Sequence, residues 1–173
     1  LLKDDKSFPY ILVARDHPFP RITKHRGARD IPGEYFGPFA STGAVHVTLN
    51  ALSRAFPLRS CSDNEFASRT RPCLQYQIKR CTAPCVQRIS QADYTALVDE
   101  ARDFLSGRNR HVLDSWRERM QAAAEALDFE TAAGLRDRIR ALAHITQKQD
   151  INLAEIEDAD VIAVHAEAGL VCI

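Results

Sequence analysis

The chain has 173 residues, 45% of them hydrophobic, and a formal net charge of zero, the composition of folded protein with room for one ordinary domain or two to three small ones. The neutral total conceals an asymmetry: residues 1–90 carry 14 Lys and Arg against 7 Asp and Glu, and residues 91–173 carry 9 against 16, so one half suits a polyanion and the other most simply a protein. No run approaches the roughly 20 apolar residues of a membrane span, and Leu1 to Tyr10 lack the apolar core of a secretory signal. A soluble, cytoplasmic chain with no membrane partner is expected.

Residues 8–14 (FPYILVA) and 20–25 (PRITKH) read as short strands flanking an Asp16-His17-Pro18 turn, and 33–39 (GEYFGPF) as a third extended piece. Ser41 and Thr42 can cap a helix reaching about Phe56, with Val45, Leu49, Leu52 and Phe56 on its apolar face. Lys3, Lys6, Arg21, Lys24, His25, Arg26 and Arg29 alternate with Tyr10, Phe19, Tyr35 and Phe36, a mixture suited to phosphate contact plus base stacking. Taken singly, the same aromatics could equally be core residues.

Residues 58–88 (LRSCSDNEFASRTRPCLQYQIKRCTAPCVQR) have little periodicity and few large apolar groups. Four of the chain's five cysteines, Cys61, Cys73, Cys81 and Cys85, stand here with spacing Cys-x11-Cys-x7-Cys-x3-Cys. In a reduced compartment such gathering points to metal or cluster ligation, although buried free thiols are an alternative. No pair has the knuckle spacing usual in structural zinc sites, so zinc stays open beside four-thiolate iron-sulfur ligation. A bound centre would supply the core this segment lacks. Arg59, Arg69, Arg71, Lys79, Arg80 and Arg88 surround the thiols, and their charge is expected to lower thiolate pKa values and to hold a DNA backbone. Pro72 and Pro84 fix the backbone before two of the ligands.

A helix is expected over 91–105, ended by Ser106-Gly107, then two more over about 112–126 and 130–145. Only Leu127-Asp128-Phe129 joins these last two, which makes them an antiparallel hairpin with Phe129 at its tip. Their stripes, Trp116-Met120-Ala123-Leu127 and Ala132-Leu135-Ile139-Leu142, are rich in alanine, so the hairpin should be marginal alone and seek a partner's apolar face. Phe129 could instead plug the hairpin's own core. Residues 158–173 read as two strands around a Glu167-Ala168-Gly169 turn, too little to fold independently, with Cys172 as a buried structural residue. The fold class expected is α+β in several segments: a small sheet with a helix, a metal-stabilised cysteine-rich region, a helical hairpin and the start of a further α/β domain. No compact carboxylate cluster suited to a catalytic Mg²⁺ is visible.

The strings LLKDDKSFPYI, HRG, GEYFGPF, RPCLQYQIKRCTAPC and ALDFETAAGLRDRIRAL, in this order, resemble the UvrC family, the nuclease subunits of the bacterial nucleotide excision repair excinuclease. The resemblance covers essentially the whole chain. It implies that residues 1–57 hold the end of a GIY-YIG nuclease domain and a small β/α segment, with Lys3 to Pro9 as the nuclease tail. Residues 58–90 would then be the four-cysteine region, 91–110 a linking helix, 111–146 the UVR hairpin, and 147–173 the start of an RNase H-like endonuclease region. Cys61, Cys73, Cys81 and Cys85 fall on the family's [4Fe-4S] ligands, and Leu127, Phe129, Ala132, Ala133, Leu135, Arg136 and Ile139 on its UvrB-binding motif. Expected DNA contacts are Lys24, Arg26, Arg59, Arg69, Arg71, Lys79 and Arg80, with lesion-bearing DNA, UvrB and further repair or coupling factors as partners in the SOS response to DNA damage. The two incision centres and their Mg²⁺ are expected upstream of Leu1 and beyond Ile173, so this segment itself should not cut DNA. Two other readings compete: a metal-binding adaptor of a stress-response kinase or protease system, similar to the McsA family but without its Cys-x2-Cys pairs, and a zinc regulator, which lacks a periodic recognition helix here.

Overall fold

The computed structural model describes residues 8–146, 165–167 and 170–172. Three antiparallel strands, β1 (Tyr10–Ala14), β2 (Ile22–His25) and β3 (Gly33–Phe36), form a sheet in the order β2-β1-β3. As the central strand, β1 is apolar throughout its buried length, Ile11 to Ala14. Gly33 lies so close to it that a Cβ would stand 2.5 Å from the Val13 carbonyl oxygen, which only glycine avoids. The third extended piece stops at Phe36, short of the expected Phe39, because Gly37 takes a φ of 130° and turns the chain.

Helix α1 (Thr42–Ala55) starts where Ser41 Oγ accepts the Ala44 N–H at 3.1 Å, and it buries Val45, Thr48, Leu52 and Ala55. The cysteine segment is more ordered than its composition suggests. It holds α2 (Asp63–Ser68), closed at its start by a reciprocal Ser62–Glu65 capping box, the single turn α3 (Leu74–Gln77), and a 3₁₀ turn at Pro84–Val86. Helix α4 (Gln91–Leu105) matches its expected span, while α5 (Asn109–Glu125) begins three residues early and α6 spans Phe129–Thr146. A last pair of strands, β4 (His165–Glu167) and β5 (Leu170–Cys172), is antiparallel, as the sequence indicated. The rest of that segment, the Cys172 side chain, Lys3 and Lys6 lie outside what is described.

The architecture is α+β, and one continuous cluster of buried side chains runs through it, from Ile11 and Val13 in the sheet to Leu142 and Ile145 in α6. Trp116 is fully buried against Phe56, with ring centroids 5.0 Å apart, and its indole N–H donates to Glu100 Oε2 at 3.2 Å, tying α5 to α4. Helix α1 packs against both the sheet and α6. The hairpin of α5 and α6 is therefore not isolated: the C-terminal part of α6 already has an apolar partner within the chain. No described helix is long and apolar enough to cross a membrane.

Candidate functional site

The cysteine segment is moored to the sheet before its first thiol. The Ile22 N–H donates to the Arg59 carbonyl at 3.4 Å, and the Thr82 N–H to the Pro57 carbonyl at 2.9 Å, so residues 57–59 are held between β2 and the stretch that carries Cys81. Tyr94 of α4 completes the joint: its hydroxyl donates to the Pro20 carbonyl at 2.7 Å and accepts the Arg59 N–H at 3.0 Å. Burial pushes that hydroxyl above its ordinary pKa, so it stays a donor.

Arg59 itself corrects an expectation. Its side chain is 1% exposed, and the guanidinium donates to the Phe19 carbonyl at 2.6 Å, the Cys61 carbonyl at 3.2 Å and Asp63 Oδ1 at 2.6 Å, while lying over the Phe66 ring. A guanidinium so enclosed does not face a phosphate backbone; it braces the loop that presents Cys61. The aromatics expected to stack on bases are likewise occupied internally. Phe19 stacks with Phe66 and meets Tyr94 edge-on, and Arg29 lies over Tyr10 at 4.5 Å and Tyr35 at 5.7 Å. The remaining expected DNA contacts do face outward: Lys24, Arg26, Arg69, Arg71 and Lys79 are exposed and Arg80 half-buried.

Cys61, Cys73, Cys81 and Cys85 are free thiols. They share one neighbourhood, because each of the other three thiols raises the pKa of Cys81, and Cys61 and Cys73 raise that of Cys85. Among the described residues no three His, Cys, Asp or Glu side chains stand close enough to form a metal site as placed. Burial is the larger cause of both shifts and pushes Cys81 up to about 11. The expectation that nearby arginines would lower these pKa values is thus overturned at both positions; only Arg69 acts that way, weakly, on Cys85. The donor set nevertheless fits a soft, thiophilic centre: a bound cation removes the like-charge repulsion that disfavours the thiolates. The Ala83 N–H already points at Cys81 Sγ at 3.4 Å. Lys79, Ala83 and Gln87 all take left-handed backbone conformations, so the chain curls tightly around Cys81 and Cys85 at a cost of about 1 kcal/mol per residue.

The hairpin tip is the second feature. Helix α5 ends with Leu127 in the left-handed region (φ 61°), its N–H donating to the Ala124 carbonyl at 3.1 Å and the next N–H, of Asp128, to the Ala123 carbonyl at 2.8 Å. Asp128 then caps α6 by accepting the Thr131 N–H at 3.1 Å, which holds its carboxyl below the usual range. This turn leaves Leu127 73% and Phe129 66% exposed. Phe129 therefore does not fill the hairpin's own core. Of the other residues expected to meet a partner, Arg136 is exposed and paired with Asp137, and Ala132, Ala133 and Ile139 are half-buried. Leu135 is 5% exposed and belongs to the internal core, so it supports the hairpin from inside. By sequence, Arg138 and Arg140 read with Arg136 and Asp137 as a solvated helix face that could pair with a docking partner; α1 adds Arg54 to them in one cleft, a grouping no local pattern encodes.

Comparison with known proteins agrees with this division. Residues 8–104 match the family model for the UvrC/Cho excinuclease middle domain, and residues 112–145, nearly the whole hairpin, match the UvrB/uvrC motif. Over all 173 residues the chain is 63% identical to UvrABC system protein C of Paramagnetospirillum magneticum, and 58% identical to the proteins of that name from Cereibacter sphaeroides and Rhodospirillum rubrum. It spans 28%, 28% and 27% of their respective lengths. No solved structure matches.

Proposed function

The chain belongs to the UvrC/Cho excinuclease family, and on that premise we propose that it is the central scaffold of an excision-repair nuclease subunit, acting in the cytoplasm. It binds UvrB through the α5–α6 tip and lesion-bearing DNA through the basic half, and flanking nuclease centres with their own Mg²⁺ make the 3′ and 5′ incisions. The observation that carries this reading is the tip: two large apolar side chains held outward by a tightly capped turn, in the segment that matches the UvrB/uvrC motif. A central aromatic of this kind is an anchor for a partner's pocket. Phe129→Ala should weaken UvrB binding by about 2 kcal/mol or more in a calorimetric titration; unchanged affinity would place the anchor elsewhere.

The adaptor reading loses its basis, since the middle-domain match covers the sheet, the cysteine segment and α4 together. We assign Cys61, Cys73, Cys81 and Cys85 as ligands of a [4Fe-4S] cluster, with zinc as the alternative. Such a centre would cross-link loops that the chain's own burial holds only in part. Absorption spectroscopy and metal analysis of anaerobically prepared protein separate the two: iron with inorganic sulfide supports the cluster, and one zinc per chain with no visible absorption rejects it.

A further inference from the structure

A cleft of about 730 Å³ separates the cysteine segment from α6. Five cations line it, from three parts of the chain: Arg54 near the end of α1, Lys79 and Arg80 just after α3, and Arg138 and Arg140 on α6. The acids in its wall are Glu130 and Asp137, and Asp137 Oδ1 already accepts from Arg136 at 2.9 Å. Among the described residues none of the five cations has an ion pair or side-chain hydrogen bond, whereas on the same two-helix hairpin Arg117 pairs with Asp114, Arg119 with Glu100 and Arg136 with Asp137. Arg138 is half-buried, so it forgoes part of its hydration without gaining a paired carboxylate; Glu100 nearby offsets that only in part. Converging cations repel one another, and an anion between them reverses the sign of the interaction.

Two further concavities continue the surface beyond the cleft. A second concavity, lined by Arg69 and Arg71, flanks the start of α3. A third shares Lys79 and Arg138 with the first and reaches Tyr76 and Cys81. Ile78, 47% exposed, adds an apolar side chain to the main cleft. The cations are thus strung along a path around α3 instead of being focused on one point. A single phosphate group needs a compact cradle of donors, while a chain of phosphates needs spaced cations and tolerates apolar contact with sugars and bases. We propose that the cleft between the cysteine segment and α6 holds a nucleic-acid backbone, with Arg54, Arg138 and Arg140 extending the contacts of Arg69, Arg71, Lys79 and Arg80 onto the partner-binding hairpin. This rests on the DNA-binding reading above and adds to it a route along α6.

The test uses the intact protein with Arg54→Gln and Arg140→Gln combined. Both residues are exposed, so the fold should be unaffected. A fluorescein-labelled duplex with an unpaired bubble is titrated across a salt series, and UvrB affinity and metal content are measured in parallel. The expected result is about tenfold weaker DNA binding and a log–log salt slope shallower by about 2, with UvrB affinity and metal content unchanged, and recovery of the slope in the Arg54→Lys/Arg140→Lys protein. Wild-type affinity and slope in the Gln variant would overturn the cleft while leaving DNA binding elsewhere intact. Loss of UvrB affinity with DNA binding unchanged would make the cleft a protein site and overturn it too. Failure of the wild-type protein to bind the duplex in a salt-dependent way would remove the underlying DNA-binding reading itself.

Discussion

The guanidinium of Arg59 satisfies two backbone carbonyls and a carboxylate from a position sealed between Phe19, Phe66 and α2. Arg59→Met keeps much of the volume but leaves those carbonyls without donors. It should destabilise the protein by about 3 kcal/mol in urea unfolding while leaving the salt slope of DNA binding unchanged; the reverse pattern would return Arg59 to the DNA surface. Nothing in the local string LRSCSDNEF distinguishes Arg59 from its exposed neighbours. Its burial is decided by Phe19, 40 positions away, a contact that no local pattern encodes. Phe129 was legible in part: as the last residue of the Leu127-Asp128-Phe129 link it falls at the tip, but whether it turns outward or into the hairpin's own core is decided only by the structure.

At the scale of elements, the α5–α6 turn shows where local chemistry suffices. The hairpin could be read from two helical periods and a short link, and the structure adds a Leu127 that takes the left-handed conformation at a cost of about 1 kcal/mol, where glycine is usual. The Asp128 cap makes the start of α6 sensitive to acid. The Thr131 hydrogen bonds favour the carboxylate and hold its folded pKa below the ordinary aspartate value. The contribution to stability is therefore complete above the unfolded pKa and is lost as pH falls through the lower folded value. Far-UV circular dichroism should show helicity falling below about pH 4, with a smaller fall in Asp128→Asn, whose cap does not titrate. Equal acid profiles would assign the loss to other carboxylates. The cysteine segment lacked such legibility, because α2 and α3 are too short to impose a period: α2 is held by its Ser62–Glu65 capping box and by Phe66 against His17 and Phe19, and α3 has no side-chain cap.

For the whole molecule, the packing of α6 on α1 is the fact the sequence could not supply. Both helices have apolar stripes, but a stripe does not name its partner. The result is one core shared by the sheet, α1 and α4 to α6. Leu142, fully buried in that core, should cost about 3 kcal/mol as Leu142→Ala, and the loss should be felt everywhere. Fluorescence of the only tryptophan, Trp116, and circular dichroism should report the same unfolding midpoint in both proteins. Separate midpoints would mean that the hairpin and the sheet unfold independently.

Helix α6 carries Phe129 at its first residue, Arg138 and Arg140 near its middle, and Leu142 and Ile145 in the core near its other end. Its 18 residues make an uninterrupted rod about 27 Å long. Under the proposed function, a protein gripping the tip would be kept at a fixed span from the sheet and the thiols, and the rod would work as a spacer gauge that sets how far that partner stands from whatever lies along the cleft.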